Sequence, residues 1–251
     1  MADVGGNTDI LSRLLPDDKI HILNKTDQGL PNQVIGDIRR IDLSDNHFDF
    51  VVSLDTLEHI KNEDRFCAIK EMLRISRDFV ILGLPFKDSS IIINEYVAVR
   101  FYKSLMKKDH IYLKDHIENL LPDASLISSF LRKSKVSYKV IKNTELNIWL
   151  MLTVIGFYAE NQYKNYPLYK ELCRYFNQHL YELGNEPPYR KIFVISKKNK
   201  IRLNQPYKKV DINKRVELYY NILKALEQVN QPSRVSFLSK IKHILQGVKP
   251  K

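Results

Sequence analysis

The residues Phe48-Asp-Phe-Val-Val-Ser-Leu54 constrain this chain more than any others. The run is short, nearly continuous in apolar residues and rich in β-branched and aromatic side chains. That pattern suits a strand buried on both faces of a parallel sheet. A strand of that kind needs helices above and below it, so the rest of the chain must supply crossovers. The sequence meets that need: apolar strand-like runs alternate with helical or loop segments, which predicts a doubly wound, mostly parallel α/β sheet.

In order, the chain opens on Met1-Ala-Asp3-Val4-Gly5-Gly6, read as the end of a strand and a tight glycine turn. Ile10 to Leu15 follow as a short helix, broken at Pro16. Lys19 to Leu23 read as a second strand ending at Asn24. Gln33 to Asp37 read as a third running into a turn, and Phe48 to Leu54 as the fourth. The polar cluster Asp55-Thr-Leu-Glu58-His59-Ile60 sits where an open α/β sheet places its ligand crevice, beyond the carboxyl end of a strand. Glu63 to Ser76 have helical spacing, with Phe66, Ile69 and Leu73 on one side. Phe79 to Pro85 read as a fifth strand.

From Asn94 the texture changes. Glu95 to Met106 look helical. His110 to His116 follow, then an apolar helix start and a break at Leu121-Pro122-Asp123. Val136 to Ile141 read as a strand, Asn147 to Tyr163 as an apolar helix, Leu168 to Leu183 as a tyrosine-rich helix, and Tyr189 to Ile195 as the last strand. These runs divide the 251 residues into a main domain over 1–200, with helical insertions over 94–188, and a basic helical extension over 201–251.

Charge follows the same division. Residues 1–100 carry 12 Lys and Arg against 17 Asp and Glu, whereas residues 101–251 carry 28 against 12. A basic second half suits an anionic partner or simply solvated lysines. Nucleic acid is not expected, because no aromatic RNA-binding signature accompanies the charge. Two distant cysteines, Cys67 and Cys173, argue against a disulfide framework or a zinc site and for a reducing, cytoplasmic setting. The most apolar stretch, Ile148 to Ala159, is too short to span a bilayer as a helix.

With the strand ends laid out, the chain resembles the class I S-adenosylmethionine-dependent methyltransferases, in particular the type 11-like group whose fourth strand reads like Phe48 to Ile60. The resemblance covers roughly residues 1–200 and rests on four weak motifs in the correct order. It implies a seven-stranded Rossmann-like sheet of order 3-2-1-4-5-7-6, with the last strand antiparallel and a helical lid insertion. It implies S-adenosylmethionine as cofactor and in-line methyl transfer to a small-molecule or glycan acceptor. The alternatives are a methyltransferase-fold binding protein with little or no turnover, or, ranked lower, an RNA methyltransferase.

Residue by residue, the resemblance assigns Asp3, Val4, Gly5 and Gly6 to the turn that holds the methionine part of the cofactor. Asn24 falls where the family carries an acid on the ribose hydroxyls, with Asp27 nearby. Asp37 and Ile38 match the adenine-binding turn. Ser53 and Leu54 match the fourth strand end, and Leu57 the adenine contact. Asp9 stands at the family's third glycine, and the first strand is cut to its last residues, so the N-terminus reads as truncated and partly degenerate.

His59 and His116 are the candidate bases, since a histidine titrates near neutral pH. Glu58, His110 and Asp115 are candidate acceptor-side groups. Tyr158, Tyr163, Tyr166 and Tyr169 suit either an acceptor groove or packing. One adjacent Glu-His pair is too little to assign a metal, so no metal is expected.

Overall fold

The computed structural model describes residues 1–161, 166–177, 187–198 and 201. Seven strands form one sheet, in the order β3-β2-β1-β4-β5-β7-β6. They are β1 (Ala2–Val4), β2 (His21–Asn24), β3 (Gln33–Ile35), β4 (Phe48–Leu54), β5 (Ser76–Pro85), β6 (Ser137–Glu145) and β7 (Pro188–Ser196). The first five are mutually parallel. β7 runs antiparallel to both β5 and β6.

The register explains the fold's asymmetry. β1 is three residues long, yet all three are buried, and it pairs with β2 on one side and β4 on the other. It therefore sits at the point where strand order reverses, the position at which open α/β sheets bind ligands. Val51, Val80, Leu82, Phe193 and Ile195 are essentially inaccessible along the central strands. The helix α2 (Arg65–Ile75) packs on β4 and β5 through Ala68, Ile69, Met72 and Ile75, none of which is exposed.

The remaining helices near the sheet are α1 (Ile10–Leu14), α3 (Ser89–Met106), α4 (Ile111–Asn119) and α5 (Ala124–Lys133). Three of these begin at side chains that accept from free backbone N–H groups: Asp88 for α3, His110 for α4 and Asp123 for α5. Such caps satisfy donors that have no partner inside the helix. α3 starts before Glu95, several residues earlier than the spacing predicts, because Asp88 caps it. α5 is a helix that the periodicity reading did not pick out, and Asp123 and its strongly one-sided apolar face (Ile127, Leu131) account for it.

The described residues fall into two compact units. One holds residues 1–150 and the described part of 185–205; the other holds the described part of 151–184. α6 (Leu146–Asn161) begins in the first, where Glu145 accepts from the Ile148 N–H at 3.0 Å and Trp149 stacks on Tyr189 at 3.9 Å between ring centroids. α7 (Tyr166–Tyr175) lies in the second, where the ring of Tyr169 meets Gly156 so closely that a β-carbon there would lie 2.8 Å from it. Tyr163, the end of the helix read over 168–183 and the extension over 202–251 lie outside the described residues. Among the described residues no helix is long and apolar enough to cross a membrane.

Candidate functional site

At the carboxyl edge of β1, β2 and β3 lies a cavity of about 380 Å³, within the range of small-molecule sites. Gly5, Asn24, Asp37, Ile38 and His59 line it, so five of the residues singled out from sequence come together in space. Leu23, Lys25, Gly36, Arg39, Thr56, Ile60, Lys61 and Asp64 complete its walls and were not anticipated.

The glycine bend is built as its sequence suggests. Gly5 has φ +86°, a region L-residues rarely occupy. Its N–H donates to the Leu23 carbonyl at 2.8 Å, closing the turn against β2. Asn24 holds the same bend from the other side: its Nδ2 donates to the Gly6 carbonyl at 2.9 Å, and its Oδ1 accepts from the Lys25 N–H at 2.7 Å. The side chain placed at the ribose position thus spans the turn and the end of β2. Asp3 lies behind Gly6, where a β-carbon would be 2.4 Å from its Oδ2. Buried without a hydrogen-bond donor among the described residues, its carboxyl group is pushed up to about 6 by desolvation.

Across the bend stands Thr56. Its Oγ1 donates to the carbonyls of Val4 (3.3 Å) and Leu54 (3.1 Å), tying the ends of β1 and β4 together. The space between the bend and the β4 terminus is therefore taken by a side chain. Ser53, Leu54 and Leu57 do not line the cavity. Ser53 and Leu57 are buried, and Ser53 Oγ has no hydrogen-bond partner among the described residues.

At the cavity's other end, Asp37 accepts from Arg39 through both oxygens, at 2.6 to 3.1 Å, and Arg39 reaches Asp64 at 2.7 Å. The Arg39 guanidinium holds the Asp37 carboxyl down at about 2. The Ile38 N–H has no partner among the described residues and remains available as a donor beside an ionised acceptor.

Beyond β4, the turn carrying Glu58 and His59 is fixed by the buried Arg65. Its Nε donates to the carbonyls of Leu57 (2.9 Å) and Ile60 (3.0 Å), and its NH2 group to those of Asn119 (3.0 Å) and Leu120 at the end of α4. One guanidinium thus joins this turn to the helix that bears Asp115 and His116, a task its planar fork suits. His59 Nδ1 lies 3.2 Å from Asp115 Oδ2, and the His59 and His116 rings are 4.9 Å apart. Burial lowers the His59 pKa, with His116 adding to the effect and Asp115 opposing it. His116 is buried, with Nδ1 2.9 Å from Glu95 Oε1, which also accepts from the Tyr189 hydroxyl at 2.8 Å. Glu58 is fully buried and neither of its oxygens has a hydrogen-bond partner among the described residues. His110 spends its Nδ1 on the Leu113 N–H at the start of α4.

Cofactor fit divides along the cavity. The adenosine side offers a free amide at Ile38, an ionised Asp37 and apolar walls from Leu23, Ile38 and Ile60. The methionine side offers the Gly5 bend, with Thr56 standing between the bend and β4; Asp3, Val4 and Gly6 do not line the cavity. The adenosine side therefore suits a nucleoside, whereas Thr56 takes up space on the methionine side. Asp37 and Ile38 would hold the adenine and the Gly5 bend the methionine part; the bound cofactor would supply an electrophilic methyl group.

A seven-stranded sheet in this order, with one antiparallel strand beside β5 and a crevice at β1, defines the class I methyltransferase architecture. A family model described as "Methyltransferase domain" matches residues 15–80. The sheet order and this match over part of the chain make the protein similar to the class I S-adenosylmethionine-dependent methyltransferases. Similar solved structures include the YcgJ protein of Bacillus subtilis (13% identity over 79% of this chain and 91% of that one, TM-score 0.45). A methyltransferase of Thermotoga maritima described as a possible histamine N-methyltransferase shares 16% identity over 78% of this chain and 81% of that one, at TM-score 0.46. One from Archaeoglobus fulgidus shares 14% over 78% and 85%, at TM-score 0.47. No curated protein matches the sequence.

Proposed function

We propose that this chain transfers the methyl group of S-adenosylmethionine to a small-molecule or glycan acceptor that approaches from the His59 side of the cavity. The observation that supports this most is the meeting of Gly5, Asn24, Asp37 and Ile38 with the His59 imidazole in one cavity at the strand-order reversal. Displacement at a sulfonium needs alignment more than acid or base. Where the acceptor is a hydroxyl, a group near it must take or release a proton, and His59 supplies an imidazole on the wall. The unpaired Cys67 and Cys173 accord with a reducing, cytoplasmic setting.

A second reading, that the fold binds cofactor but turns over slowly, draws on Thr56 against Gly5. Calorimetry with S-adenosylmethionine and its demethylated product separates the two. The expected result is micromolar-range affinity, together with transfer of labelled methyl to at least one hydroxyl- or amine-bearing acceptor in a panel. Binding without transfer favours the slow-turnover reading. Absence of heat at millimolar ligand defeats both.

A further inference from the structure

We propose that Glu58, His59 and His116 form a binding site for a first-row divalent transition cation, beside the cofactor cavity. One donor atom from each residue lies within 4.8 Å of the others. Glu58 Oε1 and His116 Nε2 are 4.0 Å apart. Donors about 2.1 Å from a common ion stand roughly 3 to 3.5 Å from each other, so side-chain shifts of about 1 Å close the cluster on an ion.

What surrounds the three residues is more telling than their spacing. Each histidine has Nδ1 against a carboxylate, His59 on Asp115 and His116 on Glu95. An ionised carboxylate only accepts, so Nδ1 carries the proton and Nε2 keeps the lone pair. That carboxylate–histidine arrangement is the one that orients imidazoles for metals and raises their basicity. The Tyr189 hydroxyl in turn fixes Glu95.

The third donor supplies an independent observation. Glu58 is 0% exposed, and both carboxylate oxygens lack hydrogen-bond partners among the described residues. An unpartnered buried carboxyl is costly, and Arg65, the buried cation nearest in sequence, is spent on carbonyls. A cation would give both oxygens a partner. Two imidazoles and one carboxylate favour Mn²⁺, Fe²⁺, Co²⁺ or Zn²⁺ over Mg²⁺ or Ca²⁺, and leave coordination positions open. His59 also lines the cavity, so the site borders the volume an acceptor would enter.

One consequence rests on the methyl-transfer reading. A cation held by Glu58, His59 and His116 would make an acceptor hydroxyl bound to it more acidic, so that its proton would pass to solvent. Its oxygen then bonds the methyl carbon as the carbon–sulfur bond breaks, with that electron pair remaining on sulfur. His59 would serve as ligand there, not base.

The test uses the full chain, stripped with a chelator, and titrates Mn²⁺, Co²⁺ and Zn²⁺ by calorimetry. One site per chain with micromolar or tighter affinity is expected for at least one ion. Co²⁺ should give a visible absorption spectrum of imidazole ligation. Glu58→Gln and His59→Ala are each expected to weaken binding tenfold or more. Lack of binding at millimolar metal, or affinity unchanged in both variants, overturns the site. Nitrogen couplings in the Mn²⁺ or Co²⁺ resonance spectrum of the unaltered chain decide the matter without relying on variants that fold poorly. Cofactor affinity, measured separately on the stripped protein, stands or falls on its own.

Discussion

The side chain of Thr56 occupies the space in which a β-carbon on Gly5 would lie, 2.3 Å from Cγ2 and 2.4 Å from Oγ1. The bend therefore needs glycine twice, for its positive φ and for this contact. Gly5→Ala is expected to destabilise the fold by about 2 to 4 kcal/mol, combining backbone strain with overpacking. Thr56→Ser keeps the hydroxyl that ties β1 to β4 and removes the methyl. Several-fold tighter S-adenosylmethionine binding is expected in that variant, with stability changed by less than about 1 kcal/mol. Chemical denaturation and calorimetry read both. Weaker cofactor binding in Thr56→Ser would mean that the methyl group is a cofactor contact and not an obstacle.

Asn24 looks like a lost ribose ligand, but its Nδ2 has a structural task at the Gly6 carbonyl. Asn24→Asp, which restores the acid seen in the resembling family, would face a carboxylate with a carbonyl oxygen. It is expected to lower stability by about 1 to 2 kcal/mol without improving cofactor affinity. A clear gain in affinity would show that the turn rearranges and frees the side chain for ribose.

The glycine bend, Asn24, Asp37 and Ile38 were legible because local sequence controls them: turns, strand ends and their spacing. Strand order came from the resemblance alone; alternating apolar runs do not specify which strands pair. Thr56 and Arg65 escaped notice for a different reason. Nothing around Thr56 hints that it bridges two carbonyls from separate strands. Arg65 reads as one more charge at a helix start, yet two of its partners, the Asn119 and Leu120 carbonyls, come from the end of α4, far along the chain. The Glu58-His59 pair was visible, but its third member and its supporting carboxylates come from α3 and α4, so no metal was expected from sequence.

Asp3 gives the bend a pH response. Its folded-state value of about 6 lies above the ordinary 3.8, so between those values the folded chain holds a proton that the unfolded chain has released. Stability contributed by this group is therefore present below about pH 4 and declines as pH rises through about 6. The difference between wild type and Asp3→Asn across pH 4 to 7 isolates that slope. A difference independent of pH would show that Asp3 finds a partner in solution. If the methionine ammonium lies beside Asp3, cofactor affinity should rise over the same interval.

Glu58 offers the sharpest stability test. A residue whose only evident effect is to bury an unpartnered carboxyl weakens the fold, and such exceptions mark functional positions. In chelator, Glu58→Met preserves side-chain length and removes the burden, so it is expected to stabilise the chain by about 1 to 3 kcal/mol. Adding the preferred cation should raise the melting temperature of wild type, because ligand bound only to the folded state shifts the equilibrium, and leave Glu58→Met unmoved. Loss of stability in chelator by a similar amount would mean that Glu58 already has a compensating partner, such as an ordered water, and that its burial is structural.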